Sequence, residues 1–298
     1  MPPYYNPTPE QLNHWQRHAR SAFPALCRPR AANSHKGSHG TLALVGGCVG
    51  MSGALVLAGS AALKSGCGKV WLGFMQTALP LPVLPQQPEI MLATATDLAQ
   101  RTDITACAVG CGMGTGAAAA AWLAALLAQA DKPPLLLDAD ALNLLAVNPV
   151  WQHHLQQRHG DTLLTPHPAE AARLLQCSTQ AIEANRPAAA QQLAARFRAW
   201  VVLKGRHTLI TSPSGQISQN HSGNPGLATA GSGDVLTGII GSLLVQGIPT
   251  AQAAIGGVWL HGTAADLLVA GGCGPIGLTA GELADAARWL RNRLVVDT

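Results

Sequence analysis

Short apolar runs alternate with longer alanine-rich stretches along most of this 298-residue chain. The short runs have the length and composition of buried strands, and we predict strands at 41–45, 69–74, 105–109, 135–137, 162–164, 201–203 and 208–211. The longer stretches predict helices at 52–63, 117–130, 169–175, 186–198, 234–246, 251–269 and 279–293. This alternation is typical of an α/β fold with a mostly parallel central sheet and helices on both faces. In such sheets ligands bind beyond the carboxyl ends of the strands.

A helix is also predicted near the start of the chain, ahead of the first strand. Thr8, Pro9 and Gln11 form a helix-start pattern, with a capping hydroxyl, a proline at the first position and a capping-box amide. We therefore divide the chain into an N-terminal helical extension, 1–34, and one domain, 35–298.

Composition narrows the classes of protein that fit. Hydrophobic residues make up 48% of the chain and charged residues 11%, and the net charge is +4. A disordered chain and a polybasic nucleic-acid binder are both excluded by these values. A surface with so few charges favours a homo-oligomer. The seven cysteines form no Cys-x-x-Cys pair and no signal peptide is visible, so we expect a reducing cytoplasm.

Two uncharged stretches have the length of membrane spans. Residues 41–63 are divided by several glycines, and residues 235–265 contain Gln246, Pro249 and His261. These interruptions favour elements buried inside a protein over membrane spans, so we expect no membrane partner.

The strongest chemical pattern is the loop 223–234, which runs directly into an apolar helix. Gly231 and Gly233 remove side chains where a backbone must approach a ligand closely. The unpaired amides and positive dipole end of the following helix favour a phosphate there. Asp234 is then either a capping carboxylate or a base that accepts a hydroxyl proton during phosphoryl transfer.

Two further segments follow predicted strands. Residues 204–208 lie between two strands and are either a charged hairpin or a clamp for a nucleotide. His167 stands between Pro166 and Pro168, which restrict the backbone and hold the imidazole at a strand end. A lone histidine is usually structural, yet this one lies where ligands bind.

Acidic residues end another strand. Asp138 and Asp140 could hold Mg²⁺ through water, the usual partner of a nucleotide. The alternative is that Asp140 caps the helix that follows.

A glycine-rich loop at 112–117 fits the pattern G-x-G-x-x-A, and Asp131 and Asp138 lie near the acidic position of a dinucleotide fingerprint. That fingerprint ordinarily belongs to the first strand–helix unit, whereas at least two units precede it here. We therefore interpret the loop as lining a ligand cleft.

Together these segments resemble the ADP/ATP-dependent NAD(P)H-hydrate dehydratase family, a branch of the ribokinase-like superfamily. The resemblance covers about residues 35–293 and rests on motifs that occur in the order of the family: 35–40, 46–54, 110–114, 138–143, 165–170, 204–205 and 223–241. It implies a ribokinase-like three-layer sandwich. Some members carry an N-terminal epimerase, whereas only about 35 residues precede the match here, so we expect the stand-alone dehydratase.

The resemblance also implies an activity: conversion of the S form of hydrated NADH or NADPH (NADHX, NADPHX) to the cofactor, with ADP consumed and AMP and phosphate released. ATP is the co-substrate of animal members, Mg²⁺ is the expected cofactor, and a tetramer is common in the family. The resemblance implies that Asp234 is the catalytic base. The other expected hydrate contacts are Ala54, Gly112, Gly114 and His167. The expected nucleotide contacts are Lys204, Gly205, Arg206, His207, Thr208, Asn224, Gly231, Ser232 and Gly233.

The chain departs from the family pattern at Cys48, Cys111 and Ala169, none of which touches the proposed chemistry. Two rival hypotheses stay open at this point. One is a kinase for a vitamin precursor such as hydroxyethylthiazole or hydroxymethylpyrimidine, which would share the phosphate-binding loop. The other is a non-catalytic dinucleotide-binding module that uses residues 112–117.

Overall fold

A computed structural model describes residues 5, 7–129 and 133–295 of the chain. Its centre is a nine-stranded sheet with the order β3-β2-β1-β4-β5-β6-β7-β8-β9. The strands are β1 Thr41–Gly46, β2 Lys69–Phe74, β3 Met91–Thr94, β4 Ala106–Val109, β5 Leu135–Leu137, β6 Thr162–Leu164, β7 Trp200–Leu203, β8 Leu209–Thr211 and β9 Ile217–Gln219. All pairings from β3 to β7 are parallel, and β7, β8 and β9 are joined by antiparallel pairings. The predicted mostly parallel sheet is therefore confirmed.

Helices cover both faces of this sheet. They are α1 Pro9–Ala22, α2 Ser52–Lys64, α3 Ala95–Leu98, α4 Ala117–Leu127, α5 Ala139–Ala146, α6 Pro149–Gln156, α7 Pro168–Leu175, α8 Thr179–Ala184, α9 Arg186–Phe197, α10 Ser232–Val245, α11 Thr250–Ala270 and α12 Ala280–Leu294. Three short 3₁₀ helices occur at Pro24–Cys27, Lys36–His39 and Pro225–Leu227.

Alternate side chains of the strands enter two separate cores. In β1, Leu42 and Leu44 join the core that contains α2, α10, α11 and α12, whereas Ala43 and Val45 join the core that contains α4, α5, α7 and α9. Helix–sheet–helix layering follows directly from this alternation.

The predicted N-terminal helix is confirmed, with the Thr8 hydroxyl and the Gln11 side chain forming its capping box. Ala19 and Phe23 at its end are fully buried in the first core. The described part of the extension thus packs against the main body, and the division at residue 35 stays a prediction.

Most predicted elements match the structure within two residues, and three differences matter. Helix α10 begins at Ser232, two residues before the predicted start, so Ser232 and Gly233 lie in its first turn. Asp138 rather than Asp140 occupies the N-cap position of α5, and its side chain makes no capping hydrogen bond there. Helix α4 ends at Leu127, ahead of the predicted end at residue 130. Residue 130 and Asp131 lie outside the described residues.

Helix α11 is long and apolar enough to cross a membrane by length and composition. In the structure 78% of its most apolar 18-residue window is buried inside the protein. Its apolar character is thus accounted for by packing against α10 and α12. This agrees with the expectation that residues 235–265 form elements buried inside the protein.

Helices α10 and α2 pack closely against each other. A Cβ atom at Gly238 would lie 2.0 Å from the carbonyl oxygen of Ala58. Because only glycine permits this distance, the two helices approach more closely here than side chains would allow.

Candidate functional site

The chain order of the strands reverses between β1 and β4, and parallel sheets bind ligands beside such a reversal. The loops after β1, β4, β5, β6 and β7 all leave the sheet at the same edge because these strands are parallel. Those loops carry Gly112, Asp138, His167 and Lys204. The sequence motifs, far apart in the chain, are therefore assembled along one edge.

A cavity of about 940 Å³ opens at this edge. It is lined by residues 204–208, by most of 220–229 and by the start of α10. Of these, the sequence analysis assigned 204–208 and the loop from residue 223 onwards to a nucleotide. Ser232, Gly233 and His167 also face it. The cavity brings together most of the predicted nucleotide contacts.

The start of α10 is shaped for close approach. Gly231 precedes the helix with a φ of 87°, in the left-handed region that favours glycine, and a Cβ atom there would lie 2.4 Å from Leu57 Cδ1. At Gly233 a Cβ atom would lie 3.5 Å from Lys204 Nζ. The positive end of the helix and an ammonium group therefore meet at one point, which suits a phosphate.

Lys204 is held in place by two carboxylates. Its Nζ atom lies 2.7 Å from Asp138 Oδ1 and 3.9 Å from Glu170 Oε2. Burial acts to lower the pKa of Lys204, but the attraction of Asp138 and Glu170 outweighs burial, so the pKa is raised. The ammonium stays charged beside the cavity.

Asp234 follows Gly233 in the first turn of α10 and is half-buried. Burial is the main cause that raises the pKa of this carboxyl, with Asp138 adding to the rise, while a hydrogen bond from the Cys111 thiol lowers it. Cys111 is buried in the turn after β4. Because its thiol hydrogen-bonds to the proposed base, the expectation that this departure from the family pattern does not touch the proposed chemistry is wrong. Asp234 is not itself among the residues that line the cavity, but its neighbour Gly233 is, and Asp234 hydrogen-bonds to Cys111 in the loop that carries Gly112 and Gly114.

The pair of carboxylates predicted to hold magnesium is already engaged. Asp138 Oδ1 accepts from Lys204, and Oδ2 accepts a 2.8 Å hydrogen bond from the Thr237 hydroxyl. Asp140 Oδ2 accepts a 2.8 Å hydrogen bond from the Gly114 amide. No cluster of three or more potential metal-binding side chains was found within the described ranges. Asp138 therefore does not fit a metal ligand, and its geometry assigns it to holding Lys204.

His167 serves as the N-cap of α7, a role that the flanking prolines did not reveal. Its Nδ1 atom accepts from the Ala169 amide at 3.1 Å, and its Nε2 atom lies 3.2 Å from Glu170 Oε1. Burial, followed by Lys204, lowers the pKa of His167. Burial likewise raises the pKa of Glu170 to about 6. A neutral ring that donates from Nε2 to Glu170 satisfies both contacts.

The segment 204–208 is the turn of the β7–β8 hairpin, so the hairpin interpretation is confirmed while the segment also lines the cavity. Sequence reasoning missed its support, Arg186 at the start of α9. The Arg186 guanidinium donates to the carbonyl oxygens of Leu203 at 3.1 Å, Lys204 at 3.2 Å and Arg206 at 2.6 Å. No local pattern shows this contact, because the residues lie about 20 positions apart.

Asn224 directs its side chain into the protein. Its Oδ1 atom accepts from the Gly226 amide at 2.9 Å, and its Nδ2 atom donates to Asp266 Oδ1 at 2.9 Å. The residue is on the cavity wall, as predicted, but its amide is committed to shaping the loop.

The remaining predicted hydrate contacts lie on the other side of Asp234. A Cβ atom at Gly112 would lie 3.2 Å from Ala54 Cβ, and one at Gly114 would lie 3.3 Å from Cys48 Sγ. Ala54, Gly112 and Gly114 are therefore neighbours, outside the residues that line the 940 Å³ cavity. The dinucleotide fingerprint fits poorly, because the Gly114 amide donates to Asp140 and the acidic candidate Asp138 is engaged by Lys204 and Thr237. The other acidic candidate, Asp131, lies outside the described residues.

Comparisons with known proteins agree with this arrangement. A family model described as NAD(P)H-hydrate dehydratase matches residues 42–286. An ADP-dependent (S)-NAD(P)H-hydrate dehydratase of Neisseria meningitidis is 56% identical over 91% of this chain and 92% of its own. Further relatives are described as bifunctional NAD(P)H-hydrate repair enzymes, and the chain spans about half of their length.

Solved structures give the same family and fold. The ADP/ATP-dependent NAD(P)H-hydrate dehydratase of Bacillus subtilis, crystallised with ATP and Mg²⁺, has a TM-score of 0.81 and 32% identity, covering 94% of this chain and 97% of its own. A ribokinase-like superfamily protein of Enterococcus faecalis has a TM-score of 0.80 and 26% identity, covering 94% and 95%. The expected ribokinase-like fold is thereby confirmed, and the chain belongs to the NAD(P)H-hydrate dehydratase family.

Proposed function

We propose that this protein is an ADP-dependent dehydratase that converts the S form of hydrated NADH or NADPH back to the cofactor, releasing AMP and phosphate. The observation that carries the proposal is that Lys204 meets the amide end of α10, whose first turn carries Asp234, beside a cavity large enough for a nucleotide. Relatives of this chain described with that activity support it.

The proposed reaction has two stages. The Asp234 carboxylate accepts the proton of the ring hydroxyl while that oxygen attacks the terminal phosphorus of ADP, and the bond to AMP breaks. The lone pair of the ring nitrogen then expels the phosphate, and loss of a proton from the neighbouring ring carbon forms the double bond. Phosphorylation is needed because hydroxide is a poor leaving group.

Each group of the site has a place in this scheme. The Ser232 and Gly233 amides and the Lys204 ammonium stabilise the charge of the transferring phosphoryl group. The turn 204–208 and the loop 223–231 hold the nucleotide. Ala54, Gly112 and Gly114 hold the hydrate on the far side of Asp234. The neutral His167, the further expected hydrate contact, faces the nucleotide cavity.

Magnesium stays a prediction, with nucleotide phosphate oxygens rather than the Asp138 carboxylate as its ligands. The choice of ADP over ATP rests on the Neisseria relative. The cytoplasm and a homo-oligomer, with a tetramer as the expected form, are likewise proposals that rest on the cysteine pattern and the sparse charge.

Asp234→Asn tests the catalytic base. The substitution removes the proton acceptor but keeps the size of the side chain, so we expect turnover to fall by about 10³-fold or more while ADP binding changes little. Recovery of NADH from its hydrate with ADP measures turnover, and calorimetry measures binding. Asp97→Asn is the matched control, since Asp97 also lies in the first turn of a helix but away from the cavity.

Two results would contradict the proposal. Wild-type protein that recovers no NADH with ADP or ATP excludes the dehydratase, and phosphorylation of hydroxyethylthiazole or hydroxymethylpyrimidine would then indicate the rival kinase. Retained turnover with lost nucleotide binding in Asp234→Asn would exclude the base assignment alone.

A further inference from the structure

Helix α11 runs directly behind the loop that precedes α10. A Cβ atom at Gly262 would lie 2.4 Å from Ser222 Oγ and 2.7 Å from the Ser222 carbonyl oxygen, so helix and loop backbones are in contact. The Ser222 hydroxyl adds a 3.1 Å hydrogen bond to the carbonyl oxygen of Trp259 in the same helix. The loop is therefore built against α11 rather than free in solvent.

Asp266 of α11 fixes the beginning of this loop. Its Oδ2 atom accepts from the Gly223 amide at 2.8 Å, and its Oδ1 atom accepts from Asn224 Nδ2 at 2.9 Å. The Asn224 Oδ1 atom in turn accepts from the Gly226 amide. One carboxylate thus sets both the backbone at 223 and the orientation of the Asn224 amide.

His261 of α11 reaches the other end of the loop. Its Nε2 atom lies 3.3 Å from the Ser232 hydroxyl in the first turn of α10, and the ring lines the nucleotide cavity. Burial lowers the pKa of His261 to about 4, so the ring is neutral at ordinary pH. A neutral ring orients the hydroxyl without adding a charge beside the phosphates.

We propose that His261 and Asp266 are positioning residues that hold the two ends of the phosphate-binding loop, acting through Ser232 and through Gly223 with Asn224. The two side chains are five residues apart on one helix, so α11 sets the distance between the loop's start and its end. The proposal rests on the proposed function of the same site and adds to it residues that touch neither reacting atom.

A paired exchange tests the Asp266 contact. Asp266→Asn alone brings two amide donors face to face, and Asn224→Asp alone brings two carboxylates face to face, so we expect each to lower kcat/KM for ADP about tenfold or more. Asn224→Asp with Asp266→Asn restores one donor and one acceptor and keeps the total charge. We expect the double variant to recover to within about threefold of wild type.

A double-mutant cycle tests the His261 contact. If His261 acts through Ser232, then His261→Leu with Ser232→Ala loses no more kcat/KM for ADP than the worse single variant. His261→Gln, which places an amide nitrogen near the Nε2 position, should retain more activity than His261→Leu. All His261 variants should leave KM for the hydrate unchanged while kcat/KM for ADP falls. General unfolding would not separate the two constants in this way.

Thr263→Val is the matched control. Thr263 lies between the two positioning residues on α11, and its buried hydroxyl has no hydrogen-bond partner among the described residues. Its replacement should leave kcat/KM for ADP and KM for the hydrate at wild-type values.

Three results would overturn the proposal: an exchange variant as impaired as its worse parent, losses that multiply across the His261–Ser232 cycle, or a Thr263→Val defect equal to that of His261→Leu. We also expect ADP affinity, measured by calorimetry on the same proteins, to fall in the single variants, to recover in the exchange variant and to stay unchanged in Thr263→Val. Should the wild type bind ADP but recover no NADH, the proposed function fails, and the affinity data still decide the positioning roles.

Discussion

At the scale of single residues, the site combines groups whose protonation is set by burial. Lys204 remains charged because Asp138 and Glu170 offset its burial, whereas His167 and His261 are held neutral. Asp234 has a raised pKa, which bears directly on the proposed reaction because its carboxylate is the proposed base.

The raised pKa of Asp234 predicts a specific pH dependence. The base must be ionised, so the rate should fall as the pH drops through the raised pKa, and the acid limb should lie above the range of an ordinary aspartate. The measurement is kcat/KM for the hydrate against pH, with ADP affinity measured over the same range to remove the titration of the nucleotide. A rate that stays constant down to the range of an exposed aspartate would contradict the assignment.

The sequence indicated the residues that are proposed to carry the chemistry, but not the residues that hold them in place. Asp234, Lys204 and His167 follow strands or begin helices, where local pattern and residue type are informative. Arg186 and Asp266 are ordinary charged residues on helices, and their importance comes from contacts with segments about 20 and 40 positions away. Such contacts depend on how helices pack, which no local pattern contains.

At the scale of elements, the turn of the β7–β8 hairpin depends on one guanidinium. Arg186→Lys keeps the charge but loses the planar group that reaches three carbonyl oxygens. We expect a rise of about five- to tenfold in KM for ADP with a smaller change in KM for the hydrate. Steady-state kinetics measure both constants. Arg198→Lys is the control, because Arg198 is an exposed helix-end residue of the same α9; an equal effect there would contradict the role of Arg186.

The α2–α10 packing predicts an opposite response to the same substitution at two glycines. Gly238→Ala places a methyl group against the Ala58 carbonyl, so overpacking should lower the free energy of unfolding by about 1–3 kcal/mol despite the better helix propensity of alanine. Gly281→Ala in α12 has open space around it and should raise stability by up to about 1 kcal/mol. Denaturant unfolding measures both. Equal stabilisation by the two changes would show that α2 and α10 are not in contact at Gly238.

Elements were predictable where burial imposes a pattern. The central strands are buried on both faces and appear in the sequence as continuous apolar runs. The edge strands β3 and β9 were missed because their side chains are half-buried or exposed and their composition resembles that of loops. The start of α10 was placed too late because Gly231-Ser232-Gly233 looks like a loop until the dihedral angles are known.

At the scale of the whole molecule, the site draws on nearly the full length of the chain. In the proposed reaction, the start of α2 and the loop after β4 supply the hydrate side, and residues from the end of β7 to α11 supply the nucleotide side. The general position of this site was predictable from the parallel sheet. The division into two sides was not, because it depends on the order of strands within the sheet.

The surface predicts self-association. Large apolar side chains are exposed at Val49 (82%), Met51 (50%) and Ile276 (96%), on a chain with few charges. We expect light scattering to give a mass that is a multiple of 30.7 kDa, with four copies as the expected form. A single-chain mass at assay concentration, together with full activity, would contradict this expectation.

The ion pair between Asp138 and Lys204 links the tips of β5 and β7 across the intervening strand β6. Charge at the reaction centre is thereby tied to the alignment of three strands. Slight splaying of these tips on warming would separate the pair and move the ammonium away from the phosphate, although the strands themselves stay intact. On heating, activity should therefore be lost at a lower temperature than that at which the sheet unfolds.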